Sequence, residues 1–243
     1  MTSYSPTVSR EDPRTSTGGN GDFPPDGYDG DDFSSPFFDV RLRRARLGLV
    51  VGLTGIAMIF ISFSSAYVVR KGLPTLDPRT NTLLHDWFPV PLPRLLLINS
   101  VILLISSVTM ELARRQAARK LALAQLASVP GVSVGNNEEI SWLALTVVLG
   151  LGFLAGQWIV WRELAASGFY VASSPSSSFV YLLTGMHGVH LIAGVVALLT
   201  VGAASLVRWP VDSQAIASDV TGWYWHFMTV LWIYILCLLK LVH

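Results

Sequence analysis

Cysteine is almost missing from this 243-residue chain, and charge is scarce. The single thiol, Cys237, cannot build a disulfide framework or a cysteine-ligated metal centre, and its apolar setting reads as a small buried hydrophobe. Charged residues make up 14% of the chain and their formal sum is +1, which leaves no clustered basic face for a nucleic acid. No stretch alternates with period two as a membrane barrel would. What fills the chain is apolar: 51% of residues are hydrophobic and the mean hydropathy is +0.50. That balance belongs to a membrane protein rather than a soluble domain.

The first 40 residues depart from this pattern. They hold Ser, Thr, Pro, Gly and Asp with few aliphatics, as in GGNGDFPPDGYDGDDF, and such a composition cannot bury enough surface to offset chain ordering. Residues 1–40 are therefore expected to be a disordered tail, and residues 41–243 a membrane domain. The tail has neither the apolar centre of a secretory signal nor the acid-poor character of a transit peptide.

From Leu47 onward come five apolar stretches, each of about 20 residues or more, the length a helix needs to cross hydrocarbon. They are placed at 47–69, 95–113, 142–165, 179–207 and 222–241. The expected fold is all-α, a polytopic bundle of five transmembrane helices, each satisfying its own backbone hydrogen bonds. The two densest basic clusters, RLRRAR at 41–46 and ARRQAARK at 113–120, fall on one side of this topology. The positive-inside rule then puts the N-terminus in the cytoplasm and the C-terminus outside.

Carboxylates and cations inside the spans, the usual marks of ion or proton transport, are nearly absent. Glu111 sits at a span end beside Arg114 and Arg115, where an interfacial ion pair is the simplest reading. The fourth span carries the one conspicuous polar pattern: His187 and His190, at i and i+3, share a helix face. A metal site would need a third ligand, and haem ligation would need histidines on facing helices, for which His226 is the other candidate. The competing reading, and the favoured one, is polar groups satisfied at helix contacts. Small residues point the same way: Gly185, Gly188 and Gly194 in the fourth span, and the GxxxG pairs Gly48/Gly52 and Gly152/Gly156, read as faces where backbones approach closely. Asn99, Ser106, Ser107, Thr109 and Gln157 add groups that can bond between helices. The fifth span opens with WYWHF at 223–227, behind Asp219, which reads as a helix cap. Trp223 and Trp225 suit either an interfacial aromatic belt or an interhelix contact. Trp232, two turns deeper, suits a helix contact.

Three stretches go beyond composition: LPRLLLINSVILLISSVTMELAR, SSFVYLLTGMHGVHLIAGVVALL and WYWHFMTVLWIYIL. Their order and spacing resemble subunit III of the haem-copper terminal oxidases, from about Arg46 onward, in a short bacterial type with five helices rather than seven. The resemblance implies a non-catalytic subunit of a complex that reduces O2 and moves protons. It implies no haem or copper in this chain, both being expected in partner subunits, and structural phospholipids bound to it, with Arg46, Trp223 and His226 as candidate lipid contacts. The implied partners are the catalytic subunit I, subunit II and, as a further candidate, subunit IV, with membership of a larger respiratory supercomplex left open. The implied location is a bacterial cytoplasmic membrane.

The chain departs from the family pattern where the family usually has buried acids. Ile56 or Ala57 takes one such place, Val160 ends what is usually a Gln-x-x-Glu motif beginning at Gln157, and Thr229 replaces the acid after WYWHF. These losses shift the implied role from direct proton handling toward assembly, lipid retention and protection of the catalytic subunit. The alternatives are an accessory subunit of a quinol oxidase or nitric oxide reductase and, from another class, an autonomous haem-binding membrane cytochrome.

Overall fold

A computed structural model describes residues 36–76, 83–84, 94–127, 142–171, 173–207 and 209–241. Residues 1–35 lie outside the described residues, so the expectation of a disordered tail falls largely beyond what can be described. The rest holds five helices: α1 (Pro36–Gly72), α2 (Leu95–Ala127), α3 (Trp142–Ala166), α4 (Pro175–Leu206) and α5 (Val211–Leu241). Each contains a window of mean hydropathy between 1.5 and 2.2 and is long enough to cross a membrane. The expected all-α bundle of five spans is borne out. Between α1 and α2 a two-residue antiparallel ladder, β1 (Thr75–Leu76) with β2 (Leu83–Leu84), closes the connection.

The helices overrun the apolar stretches at one end of the bundle. Residues 36–40, assigned to the tail from their sequence, belong to α1, whose first residue is a proline, well suited to an opening turn. Helix α2 continues through RRQAARKLALAQLA, because Ala, Leu, Gln, Arg and Lys are strong helix formers whether or not lipid surrounds them. Helix α5 begins at Val211, eight residues ahead of the expected cap at Asp219, which therefore lies inside the helix and caps nothing. Helix α4 starts with a capping box: Ser174 accepts from the Ser177 backbone N–H, the Ser177 side chain accepts from the Ser174 N–H, and Pro175 follows the cap.

Helices α2, α3, α4 and α5 close into a ring in which each touches the next, and α1 lies outside it in the groove between α4 and α5. Helix α1 makes that contact through one stripe, Phe60, Ser64 and Tyr67, at the i, i+4, i+7 spacing of a helix face. Phe60 meets the His190 ring edge-on at 5.9 Å, and Tyr67 meets Phe179 at 5.7 Å. The ring interior is filled by Phe153, Leu183, Trp225, Met228 and Trp232, each almost wholly buried.

Candidate functional site

Many polar side chains of the spans meet along one seam. Along the antiparallel α2–α5 contact, four pairs follow one another. Trp232 Nε1 donates to Ser100 Oγ at 2.8 Å, and Trp225 Nε1 donates to Ser106 Oγ at 3.2 Å. Ser107 Oγ meets His226 Nδ1 at 2.6 Å, and Arg114 Nη1 donates to Asp219 Oδ1 at 3.0 Å. The heptad spacing of Ser100, Ser107 and Arg114 on α2, and of Trp225 and Trp232 on α5, keeps the two faces in register. Each uncharged bond of this kind gains only about 0.6 kcal/mol in a membrane, but together they fix which residues meet. Beside the seam, Asn99 Nδ2 donates to Phe153 O at 3.0 Å and Thr109 Oγ1 meets Thr146 Oγ1 at 2.9 Å, tying α2 to α3.

The seam ends in an ionic cluster on the side that carries RLRRAR. Arg114 grips Glu111 with two donors, Nε at 2.8 Å and Nη2 at 3.1 Å, and Arg115 Nε adds a third contact to Glu111 at 2.8 Å. Glu precedes both arginines by one turn, the favourable order on a helix. Asp219, only 13% exposed, takes Arg46 Nε from α1 at 2.8 Å as well as Arg114. His226 Nε2 lies 3.5 Å from Glu111. The expected interfacial pairing of Glu111 is present, and the cluster extends beyond it to join three helices.

The three histidines go separate ways. His187 is fully buried, its ring against Phe153 at 6.0 Å and Trp232 at 5.0 Å. His190 turns toward α1, its Nδ1–H donating to Met186 O at 2.8 Å, and its carbonyl accepts the Tyr224 hydroxyl at 2.8 Å. His226 belongs to the Ser107 and Glu111 end of the seam. Aromatic or polar neighbours pack against each ring. Among the described residues no three His, Cys, Asp or Glu gather closely enough to hold a metal ion.

The glycines divide sharply. A Cβ at Gly150 would lie 2.8 Å from the Trp225 ring and one at Gly194 3.2 Å from it, so these two glycines form the slot that receives the indole. Gly156 takes the Asn99 amide, 2.4 Å from where its Cβ would be, and Gly185 makes ordinary contact with Trp161. Gly48, Gly52 and Gly152 meet no described atom within 4 Å, so they are not contact faces within this chain, and neither is Gly188 a close contact. Spacing identified their helix face but could not say what stands opposite. Trp223 is 53% exposed and points out of the bundle, so it is no interhelix residue here, whereas Trp225 is 0% exposed and is not part of an interfacial belt. Cys237 is exposed on the outer surface rather than buried. Gly150 and the Trp161 Nε1 to Thr184 Oγ1 bond of 3.1 Å escaped the sequence reading. A single glycine beside a leucine-rich run gives no local sign of the ring it accommodates.

The family described as cytochrome c oxidase subunit III matches residues 39–241. A protein of Mycobacterium leprae named "Probable cytochrome c oxidase subunit 3" is 36% identical over 92 residues, covering 38% of this chain and 46% of the relative. One of Nocardia farcinica with the same name is 35% identical over 92 residues, 38% of this chain and 45% of the relative. "Cytochrome c oxidase subunit 3" of Coturnix japonica is 28% identical over 197 residues, 78% of this chain and 66% of the relative. The chain thus spans about half the length of the curated bacterial relatives it matches.

Proposed function

We propose, from the premise that the chain belongs to the cytochrome c oxidase subunit III family, that it is a non-catalytic subunit of a bacterial haem-copper terminal oxidase. Its helices stabilise the catalytic subunit and hold phospholipid against it. The observation that carries this reading is where the polar groups of the spans are used. Trp225, Trp232, Ser107, His226, Arg114 and Asp219 hold helix to helix.

The haem and copper of such a complex reside in partner subunits, principally subunit I with subunit II. The outward face of α1, where Gly48, Gly52 and Gly55 meet no described atom, is a contact surface for one of them, since small residues let a neighbouring helix approach closely. The cluster around Arg46, Arg114 and Asp219 lies on the cytoplasmic side, in keeping with the basic flanks of α1 and α2. Arg46, 47% exposed in its side chain, and the outward-facing Trp223 are placed to meet lipid headgroups, with His226 behind them.

The test is to purify the tagged full-length chain from native membranes in mild detergent and identify the accompanying polypeptides by mass spectrometry, recording the visible spectrum. Haem-copper oxidase subunits should co-purify, with the haem bands following them when the complex is dissociated. Recovery of the chain alone, or of a Soret band that stays with the isolated chain and disappears on His→Ala substitution, overturns the reading.

A further inference from the structure

The α3–α4 contact contains a place where packing and hydrogen bonding both stop short. Its register is fixed at two points. On one side Trp161 donates to Thr184 at 3.1 Å, and on the other Gly150 faces Val195, whose Cγ2 would lie 3.4 Å from a Cβ there. One turn from the first point toward the second takes α3 from Trp161 to Gln157 and α4 from Thr184 to Gly188, so these two residues stand opposite each other. Gly188 is buried, yet apart from its chain neighbours and the adjoining backbone of its own helix no described atom lies within 4 Å of the position its Cβ would take. In a close-packed interior a buried glycine with that much room is unusual, since gaps as large as a water molecule are few.

The groups around that space are polar and unsatisfied. Gln157 is 3% exposed and its Oε1 has no hydrogen-bond partner among the described residues. His187, next in the chain to Gly188, is 0% exposed, and neither Nδ1 nor Nε2 has a partner. Flipping the His187 ring exchanges one unpartnered nitrogen for the other. A neutral imidazole and an amide buried without partners are each costly. A third group faces the same space. In a helix the side chain of residue i covers the carbonyl of residue i−4, as Thr184 Oγ1 does in donating to Val180 O. A glycine at 188 leaves the Thr184 carbonyl uncovered, with a second lone pair free to accept.

We propose that Gly188, Gln157 and His187 form an internal water site between α3 and α4, holding one or two ordered water molecules. The water donates to Gln157 Oε1 and to the Thr184 carbonyl, and exchanges a hydrogen bond with a His187 ring nitrogen. Two to four polar partners around a water-sized space is what a buried water requires. A neutral ligand suits the site better than a cation, because the surrounding rings of Phe153 and Trp232 offer no balancing carboxylate. The role of Gly188 is then to leave out a side chain, which explains a buried glycine that touches nothing. This site does not depend on which complex the chain joins.

Alanine and serine at position 188 distinguish a wet space from a dry one. Gly188→Ala fills the space with a methyl group and displaces the water without replacing its hydrogen bonds. Gly188→Ser returns an oxygen that can donate to the Thr184 carbonyl and accept from His187. The same two substitutions at Gly152, which is exposed and meets no described atom within 4 Å, give the intrinsic difference between the residues. With the full-length chain purified from native membranes, the corrected thermal midpoint of Gly188→Ser should lie above that of Gly188→Ala. The expected gap is about 2 to 4 °C, the shift that one hydrogen bond makes in a chain of this size. Placing both substitutions in a His187→Phe background should shrink that gap. A midpoint for Gly188→Ala equal to or above that of Gly188→Ser overturns the proposal, as does a gap unchanged by His187→Phe. A cryo-electron microscopy map of the parent protein that resolves other buried waters but shows no density beside Gly188 also overturns it.

Discussion

Helices α1 and α4 are almost equally apolar, with windows of mean hydropathy 2.2 and 1.8, yet α1 buries 11% of its window inside the bundle and α4 buries 44%. Both carry glycines at close spacing. On α4, Gly194 receives the Trp225 ring from α5, while on α1, Gly48, Gly52 and Gly55 meet no described atom of another helix within 4 Å. The difference teaches that hydropathy decides whether a helix enters lipid and says little about whether it packs. Between helices already in lipid there is no hydrophobic gain to be had, so association rests on shape and on polar pairs. On α4, Gly185, Gly194 and Gly202 each have a large side chain opposite, and Gly188 does not. Helix α1 has one stripe and one ionic contact.

The sharpest break of that contrast is at its largest filled slot. Trp225→Ala empties the space between Gly150 and Gly194 and leaves Ser106 without its donor. It should destabilise the full-length chain by about 3 to 5 kcal/mol, the usual cost of removing a buried aromatic ring. Chemical denaturation in detergent, followed by tryptophan fluorescence, measures it, and a loss below about 1 kcal/mol would show that the ring is not the wedge assigned here.

A smaller effect follows from filling the slot instead. Gly150→Ala brings a Cβ to 2.8 Å from the Trp225 ring, and the indole is fixed on three sides, so overpacking should cost about 1 to 3 kcal/mol. The same substitution at an open helical glycine would be neutral or slightly stabilising, because alanine is the better helix former. If Gly150→Ala raises the denaturation midpoint, the ring moves more freely than its contacts imply.

The ionic cluster tests the weaker side of the comparison. Asp219 takes Arg46 from α1 and Arg114 from α2, and Asp219→Asn removes the charge that both share while Glu111 still holds Arg114. The loss should be about 1 kcal/mol or less, since partly exposed ion pairs contribute little. Its structural consequence should exceed its energetic one, because α1 has few other anchors. Spin labels at residues 43 and 212, both on the exposed surface, should show a broadened distance distribution in the variant. An unchanged distribution would mean that the Phe60, Ser64 and Tyr67 stripe, with the Arg41 to Ser213 hydrogen bond, is enough to position α1.

The five spans were legible in the sequence because crossing hydrocarbon requires a run of apolar residues, and such a run is a local property. Their ends were not, since Ala, Arg, Lys and Gln carry α2 past the apolar run as readily as leucine does. Asp219 looked like a cap for the same reason: cap signals are local, and nothing near it shows that the helix began at Val211. The candidate site was legible in part. Asn99, Ser107 and His226 lie in or beside the α2–α5 seam, and Gln157 and His187 are buried, whereas His190 turns toward α1. Trp223 and Trp225 stand two positions apart in one motif, yet one is 53% exposed and the other 0%. Their fates are set by Gly150 and Gly194 on other helices, and no local pattern carries that pairing. Gly188 shows the same limit in reverse: the spacing marks a contact face, and the register places Gln157 opposite with a gap between.

The smallest intrachain effect is expected on α1, and it sharpens the comparison most. Gly52→Leu adds a large side chain where no described atom lies within 4 Å, so the stability of the chain should change by no more than about 0.5 kcal/mol, as for an ordinary surface substitution. If α1 is open because a helix of a partner subunit lies along its glycines, the same leucine holds the two backbones apart and should lower the amount of partner recovered with the tagged chain. If lipid alone covers that face, recovery should be unchanged, since acyl chains rearrange around a leucine. Quantitative mass spectrometry of the purified material, with Gly152→Leu as the matched change on α3, separates these outcomes. Loss of partner with intact chain stability would identify α1 as the face turned toward the rest of the oxidase, and full recovery would move that interface to another helix.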